Sequence, residues 1–279
     1  MSSSRSNSDI SANPFAWAHE LWTRRHLTWQ FTLRNVELRH RGSYLGLGWS
    51  VLSPLLILAL EILVFGYVFN GSFGVIPNET RVDYGLGIFV GMTLYQFVAE
   101  VLSTAPGQIV FNANFVKKVV FPLEVLPAAT VGAAFVHTSV SLGLVVIGTA
   151  FLGPGLTMGV LWLAVVMIAL LLIALGAAWF FSALGVFFRD IAPLMQFSIM
   201  VLMFSSAIFY PASRLPEAGW SILKFNPLLL AVEVARDGVL WGRQPNLGYV
   251  AYLYGFGIVS CTCGYSAFRK MKGAFADVL

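Results

Sequence analysis

Charge is scarce in this sequence: of 279 residues, only 11% are Asp, Glu, Lys or Arg, against about 25% in a soluble globular domain. That shortage excludes an ordinary water-facing surface. With 58% hydrophobic residues and a mean hydropathy of +0.78, the chain reads as spans through lipid rather than as core and surface. Cysteine is scarce as well. Cys261 and Cys263 lie two apart in an apolar run, so on a helix they point to different faces and cannot pair; they read as small packing residues. Of the four histidines, three (His19, His26, His40) precede the first apolar run, and no Cys/His pair has metal-ligand spacing. None of the five lysines follows a glycine, so the phosphate loop that ends in Gly-Lys-Ser/Thr is missing. If this protein uses ATP, another polypeptide binds it. No acid, base, nucleophile or metal set converges, which places a membrane enzyme last among the functions. No short apolar core leads to a small-residue cleavage site in the polar N-terminal region, so a cleavable signal peptide is not expected.

What is there is long apolar runs. Six are long enough to cross ~30 Å of hydrocarbon as helices, near residues 51–69, 84–104, 123–152, 158–187, 194–211 and 247–267. The third is over-long and is expected to tilt or to begin in the interface. The expected fold is therefore an all-α integral membrane protein. Residues 1–14 are expected to be a Ser- and Asn-rich disordered tail, 15–49 a cytoplasmic interfacial helix, 50–270 the six-span domain and 271–279 a cytoplasmic tail. No internal repeat is evident, which removes the basis for an inverted-repeat carrier.

The net charge of +4 and pI near 9.2 admit a nucleic-acid partner, but the placement of the cations argues for membrane topology instead. With the N-terminus inside, twelve Lys and Arg fall on the cytoplasmic side and five outside, so the positive-inside rule puts both ends in the cytoplasm. The exception is the loop from Tyr210 to Asn246, which carries Arg214, Lys224, Arg236 and Arg243. Its segment "PLLLAVEVARDGVLW" is too short and too charged to span, and apolar segments of ~10–14 residues are candidates for re-entrant helices. Pro227 suits a first helical turn with Asn226 as its cap. Two half-inserted helices there could gate a pore; the plainer reading is a small external cap.

Three further features bear chemistry. From Phe15 to Arg41 one helical face carries Trp22, Trp29, Leu33 and Val36, and nearly the opposite face carries Leu27, Phe31 and Leu38. Two apolar faces suggest a helix at the lipid interface that also packs on protein, with its arginines toward anionic lipid. Glu61 lies near the centre of the first run, where a charge costs ~2.5–3.5 kcal/mol of insertion energy. It must face protein or water, as a pathway residue or as a structural hydrogen bond. Glu100, late in the second run, is near enough to the cytoplasmic end to reach headgroups, and His137 reads as a satisfied interior histidine. The loop "PGQIVFNANFVKKVVFP" (106–122) suits a short helix capped by Asn112 or Asn114, with Lys117 and Lys118 at its C-terminal end and Pro122 as its stop. Its Phe111, Phe115 and Phe121 need either a partner surface or the interface.

Together these pieces resemble the polysaccharide-export permeases of ABC transporters, which include O-antigen, capsule and wall-teichoic-acid exporters. Four landmarks in order carry the resemblance: "LRHRGSYLGLGWSVLSPLL", "FVKKVVFPLEVLP", "VFFRDIAPL", and "AIFYPASRLPE" followed by "NPLLLAVEVARDGVLWG". It covers about residues 15–270. It implies a homodimer in the bacterial cytoplasmic (inner) membrane, docked on two copies of a cytosolic ATPase that binds ATP and Mg. The cargo implied is a lipid-linked glycan. By resemblance, Asn114, Phe115, Lys117, Lys118 and Phe121 lie at the ATPase contact, and Asn226, Pro227, Glu233 and Arg236 belong to a gate. Arg39 and Arg41 are the candidates for the substrate's anionic head-group, and Glu61, Tyr67, Tyr95, Phe209 and Tyr210 for its path. Two positions depart from the pattern: Ser206-Ala207 stands where Ser-Pro is common, so a weaker kink is expected, and His40 stands in place of Tyr. A drug or simple-lipid ABC exporter has the same topology, and an ion-coupled carrier using Glu61 is the alternative from another class.

Overall fold

A computed structural model describes residues 16–40, 44–77, 79–117, 121–153 and 155–279. Arg41 and Lys118, two of the basic residues singled out above, lie outside them. Helix is the only regular structure among the described residues. The order is α1 (Ala16–Thr23), α2 (Arg25–His40), α3 (Trp49–Glu61, continued by π-helical turns over Ile62–Val68), α4 (Arg81–Thr104), α5 (Gln108–Phe111), α6 (Ala113–Lys117), α7 (Val125–Phe151), α8 (Leu161–Phe187), α9 (Ile191–Ser205), α10 (Glu217–Leu223), α11 (Pro227–Val239), α12 (Leu247–Lys272) and α13 (Phe275–Val278). Helices α3, α4, α7, α8 and α12 with their continuations are long and apolar enough to cross a membrane; α9 is a shorter apolar helix. Helices α10 and α11 are bent by 101° at a break of a few residues, the re-entrant geometry expected of that loop.

Where element ends differ from the sequence-based limits, local chemistry accounts for it. Helix α4 starts three residues early because Thr80 and Asp83 form a capping box. The Thr80 hydroxyl accepts from the Asp83 N–H at 3.1 Å, and the Asp83 carboxylate accepts from the Thr80 N–H at 2.9 Å. Helix α12 runs five residues further than expected, with Arg269, Lys270 and Lys272 on its last turn, where cations favour a C-terminus. The segment expected as a single interfacial helix forms two helices, α1 and α2, among the described residues. In the 106–122 loop, Asn112 sits between two short helices and donates its side-chain amide to the Gln108 carbonyl at 2.8 Å, so it closes α5 instead of capping a longer helix. Asn114 lies inside α6.

Packing divides the chain into two cores. The larger is built from α4, α7, α8 and α11, with α4 the most buried span and α3 the most exposed. Helices α8 and α12 approach closely at Gly176 and Gly264. A Cβ on Gly264 would stand 2.1 Å from the Gly176 carbonyl oxygen, the small-residue contact that lets helices pack without a hydrophobic drive in lipid. The smaller core gathers one pole of the molecule: Trp17 from α1, Phe31 from α2, Phe115 from α6, Trp179 from α8, Phe268 from α12 and Phe275 from α13. Both ends of the described chain therefore meet at one pole. Lys272 ties this pole together by donating to both oxygens of Glu124, at 2.9 and 3.0 Å.

The fifth run is where sequence and structure part most. Helix α9 has 15 residues, ~22 Å at 1.5 Å per residue and short of the ~30 Å hydrocarbon. The expected weaker kink at Ser206-Ala207 is instead a full break, with Ala207 in the left-handed region at φ +50° and completely buried. A residue with a Cβ costs about 1–2 kcal/mol there. Replacing Ala207 with glycine should therefore stabilise the protein by about 1 kcal/mol. A melting temperature in detergent that fails to rise would contradict this.

Candidate functional site

The break after α9 exposes backbone carbonyls inside the membrane domain, and such groups need partners because lipid supplies none. The partners come from α11 and α4. Arg236, with a side chain 0% exposed, donates Nη1 to the Ala207 carbonyl at 2.8 Å, Nη2 to the Ile208 carbonyl at 2.5 Å and Nε to the Gly87 carbonyl at 2.8 Å. The next carbonyl, of Phe209, accepts the Tyr84 hydroxyl at 2.8 Å. The Arg236 guanidinium also lies 4.4 Å from the Phe73 ring centroid, which brings the segment between α3 and α4 over it, and Glu233 stands 3.8 Å away. At the other end of α11, Asn226 accepts from the Leu228 and Leu229 N–H groups as the cap expected with Pro227. It also donates to the Ser205 carbonyl at 3.2 Å and to the Ser206 hydroxyl at 3.0 Å. Two of the four gate candidates thus hold one feature, the turn between α9 and α10, Asn226 and Arg236 from the two ends of α11, while Pro227 opens that helix and Glu233 stands beside Arg236.

The residues assigned to the substrate path divide. Phe209 stacks on Phe65 at 5.2 Å, Phe65 on Phe69 at 5.9 Å, and Phe204 lies 6.5 Å from Phe209, a ladder across the exposed faces of α3 and α9. Tyr210 borders it and donates its hydroxyl to the Phe204 carbonyl at 2.7 Å. Tyr67 is 54% exposed and lies beneath the Arg81 guanidinium, 4.9 Å away. Tyr95 is apart from these, buried in the large core. Glu61 is buried too, and its Oε2 has no hydrogen-bond partner among the described residues.

At the terminal pole, α1 and α2 carry the apolar faces as expected, with one difference. Trp22, Trp29 and Leu33 point outward, while Phe31 packs on Phe121 at 5.2 Å and on Phe115 at 5.7 Å, themselves 4.7 Å apart. Leu38, expected on the inner face, is exposed. Two of the three loop phenylalanines therefore find their partner inside the chain. The third, Phe111, is 86% exposed, alongside exposed Asn114 and Lys117 on α6. Thr32 anchors α2 on α7, where a Cβ on Gly132 would stand 2.5 Å from its hydroxyl.

Between α2, α3, α4 and α7 lies a cleft of about 1040 Å³. Arg39 lines it, and its Nη1 is 2.6 Å from Glu100 Oε1. His137 Nδ1 lies 2.9 Å from the same oxygen and 2.7 Å from Arg39 Nη1. Reading the sequence alone kept these three apart, as a head-group cation, an acid reaching for headgroups and a satisfied interior histidine. The structure joins them across three helices, and the Arg39 charge is matched. The signal that could have found the cleft was the stripe Ser50, Ser53, Pro54 and Ile57 on α3, opposite Thr93, Gln96, Glu100 and Ser103 on α4, polar residues at helical spacing in spans otherwise apolar.

A family model described as ABC-2 type transporter matches residues 26–240. The chain is 28% identical over 249 residues to an O-antigen export system permease protein RfbA of Klebsiella pneumoniae, covering 89% of this chain and 93% of the relative. It is 26% identical over 261 residues to an O-antigen export system permease protein RfbA of Myxococcus xanthus, covering 92% and 97%. To the polysialic acid transport protein KpsM of Escherichia coli it is 24% identical over 254 residues, covering 87% and 92%.

Proposed function

The chain belongs to the ABC-2 type transporter family, and on that premise we propose that it is the permease subunit of an exporter moving a lipid-linked polysaccharide outward across the bacterial cytoplasmic membrane. A separate ATPase pair binds ATP and Mg and drives the step. Two copies of the chain form the transport path, with the pole that gathers both termini in the cytoplasm. The observation that carries this reading is near full-length similarity to relatives named for exporting O-antigen and for transporting polysialic acid. The asymmetry of Lys and Arg supports the orientation. Exposed Phe111, Asn114 and Lys117 offer a surface on which an ATPase docks. The ladder from Phe69 to Phe204 suits a path for sugar rings, because aromatic faces stack on them without reading their sequence.

Deleting the gene should remove the polymer from the cell surface while its lipid-linked form accumulates inside, and the chain should co-purify with an ATPase. Polymer still reaching the surface would overturn the reading. A carrier driven by ions through Glu61 predicts differently. Glu61→Gln keeps the shape and a hydrogen-bonding group, so an ATP-driven exporter should retain export within about twofold, a change below ~0.5 kcal/mol. Abolished export with intact ATP turnover would point to the carboxylate as a coupling group.

A further inference from the structure

The cleft between α2, α3, α4 and α7 lies within a single copy of the chain, away from the aromatic ladder of α3 and α9. Its volume of about 1040 Å³ is at the upper end of the ~300–1,000 Å³ of small-molecule sites. Ligand pockets of that kind are mostly apolar with a few polar groups; this one has apolar wall from Leu38, Pro54, Ile57 and Ala99 but carries more than a few polar groups. Hydroxyls and amides enter it from four helices, Asn35, Ser53, Thr93, Gln96, Thr138 and Ser141 among them, with the Trp49 ring at its edge. Thr93 is only 2% exposed, and its hydroxyl has no hydrogen-bond partner among the described residues. A buried hydroxyl without a partner costs ~1–3 kcal/mol, and a threonine on a helix usually avoids that by bonding back to the preceding turn. Thr93 therefore holds an unmet polar group in the wall of the cleft.

The charges select the class of ligand. An anionic head-group needs a cation to spare, and among the described residues the cleft has none: Arg39 is held by Glu100 at 2.6 Å, with His137 closing the cluster. What remains is neutral, many-valent in donors and acceptors, and edged by an indole, the surface that stacks on sugar rings. We propose that this cleft binds the uncharged, hydroxylated sugar portion of the cargo, one site in each copy of the chain, with Thr93 and Gln96 as hydrogen-bonding residues and Trp49 as a stacking platform. The inference rests on the reading that the cargo is a glycan. It moves the contact from the anionic head, for which Arg39 was the sequence-based candidate, to the neutral sugars beside it.

The test uses the complete transporter, chain plus ATPase, in phosphatidylethanolamine and phosphatidylglycerol vesicles. Ser53→Cys, in a Cys263→Ala background, is labelled with a water-soluble thiol reagent. Two probes with the same tail, dodecyl maltoside below its solubilising concentration and dodecyl phosphate, are compared as protectants. The sugar head should slow labelling about tenfold, the phosphate head should not, and Thr93→Val with Gln96→Leu should abolish the protection. Leu60→Cys, on an exposed face of α3, should be indifferent to both. Equal protection by the two probes, or by neither, overturns the sugar site. Gene deletion separates this failure from failure of the broader reading. If surface polymer is lost on deletion but the cleft is never protected, the exporter stands and the site falls; if surface polymer is unchanged, the glycan reading falls first.

Discussion

Arg236→Met should destabilise the protein by roughly 3–5 kcal/mol, enough that little folded material survives detergent extraction. The methionine fills much of the same volume, so the loss is polar rather than steric. It leaves the Ala207 and Ile208 carbonyls inside the membrane domain without their donors, and it leaves Glu233 as a part-buried carboxylate without the cation 3.8 Å away. Individual hydrogen bonds between membrane helices average only ~0.6 kcal/mol. That average, however, comes from groups with alternative partners, and these two carbonyls stand in a turn that no helical ladder serves. Arg236→Lys provides the control. Lysine keeps the charge but cannot spread three donors in a plane, so it should fall between wild type and methionine. Gly91→Ala, whose new Cβ would lie 2.9 Å from Arg236 Nη2, should be milder still. Thermal unfolding of the purified chain gives the order directly. If Arg236→Met melts within a degree or two of wild type while Arg236→Lys is disrupted, then Arg236 is not the structural lock of this turn, and a role as a mobile gate charge regains weight.

The sequence made the spans legible because apolar length is a one-dimensional signal: five stretches chosen from hydropathy alone end within a few residues of long helices. The re-entrant pair was legible for the opposite reason, since Asn226-Pro227 marks a helix start in a segment too short to cross. What stayed hidden was the partnership of distant residues. Arg236 reads as a stray charge in an external loop until Ala207 and Ile208, 29 and 28 residues away, turn out to lack helical partners. The break itself was masked because Ile208, Phe209 and Tyr210 continue the apolar run, and hydropathy does not register a left-handed alanine. Arg39, Glu100 and His137 were each visible, but nothing along the chain measures the distance between positions 39, 100 and 137.

These two kinds of hidden contact occupy opposite poles, which bears on how the molecule transmits a change. At one pole, side chains from α4 and α11 fix the turn after α9. At the other, Phe31 of α2 packs on Phe115 and Phe121. Helix α4 connects the poles, since Gly87 accepts from Arg236 near its start and Glu100 holds Arg39 near its end. A displacement of α4 along its axis would strain both sets of contacts together, so the span buried deepest is the natural rigid link between the turn after α9 and the terminal pole.

The second large effect is expected at the aromatic trio. If the exposed flank of α5 and α6 receives the ATPase, the force must leave through what those helices touch, and Phe115 touches Phe31 of α2. Phe31→Ala and Phe115→Ala should each lower export on the order of tenfold, the consequence of ~1.4 kcal/mol at the transport step and within what two aromatic contacts supply at ~0.5–1.5 kcal/mol each. ATP hydrolysis should be less affected than export, because the nucleotide is bound elsewhere. The double variant should be little worse than either single one, since both remove the same link. Phe111→Ala, altering an exposed ring with no such internal partner, should instead weaken co-purification of the ATPase while leaving the isolated chain's melting temperature unchanged. Reconstituted complexes report export and ATP turnover side by side. Strictly additive losses for Phe31 and Phe115, or equal losses of export and hydrolysis, would show that the trio stabilises the pole without passing motion through it.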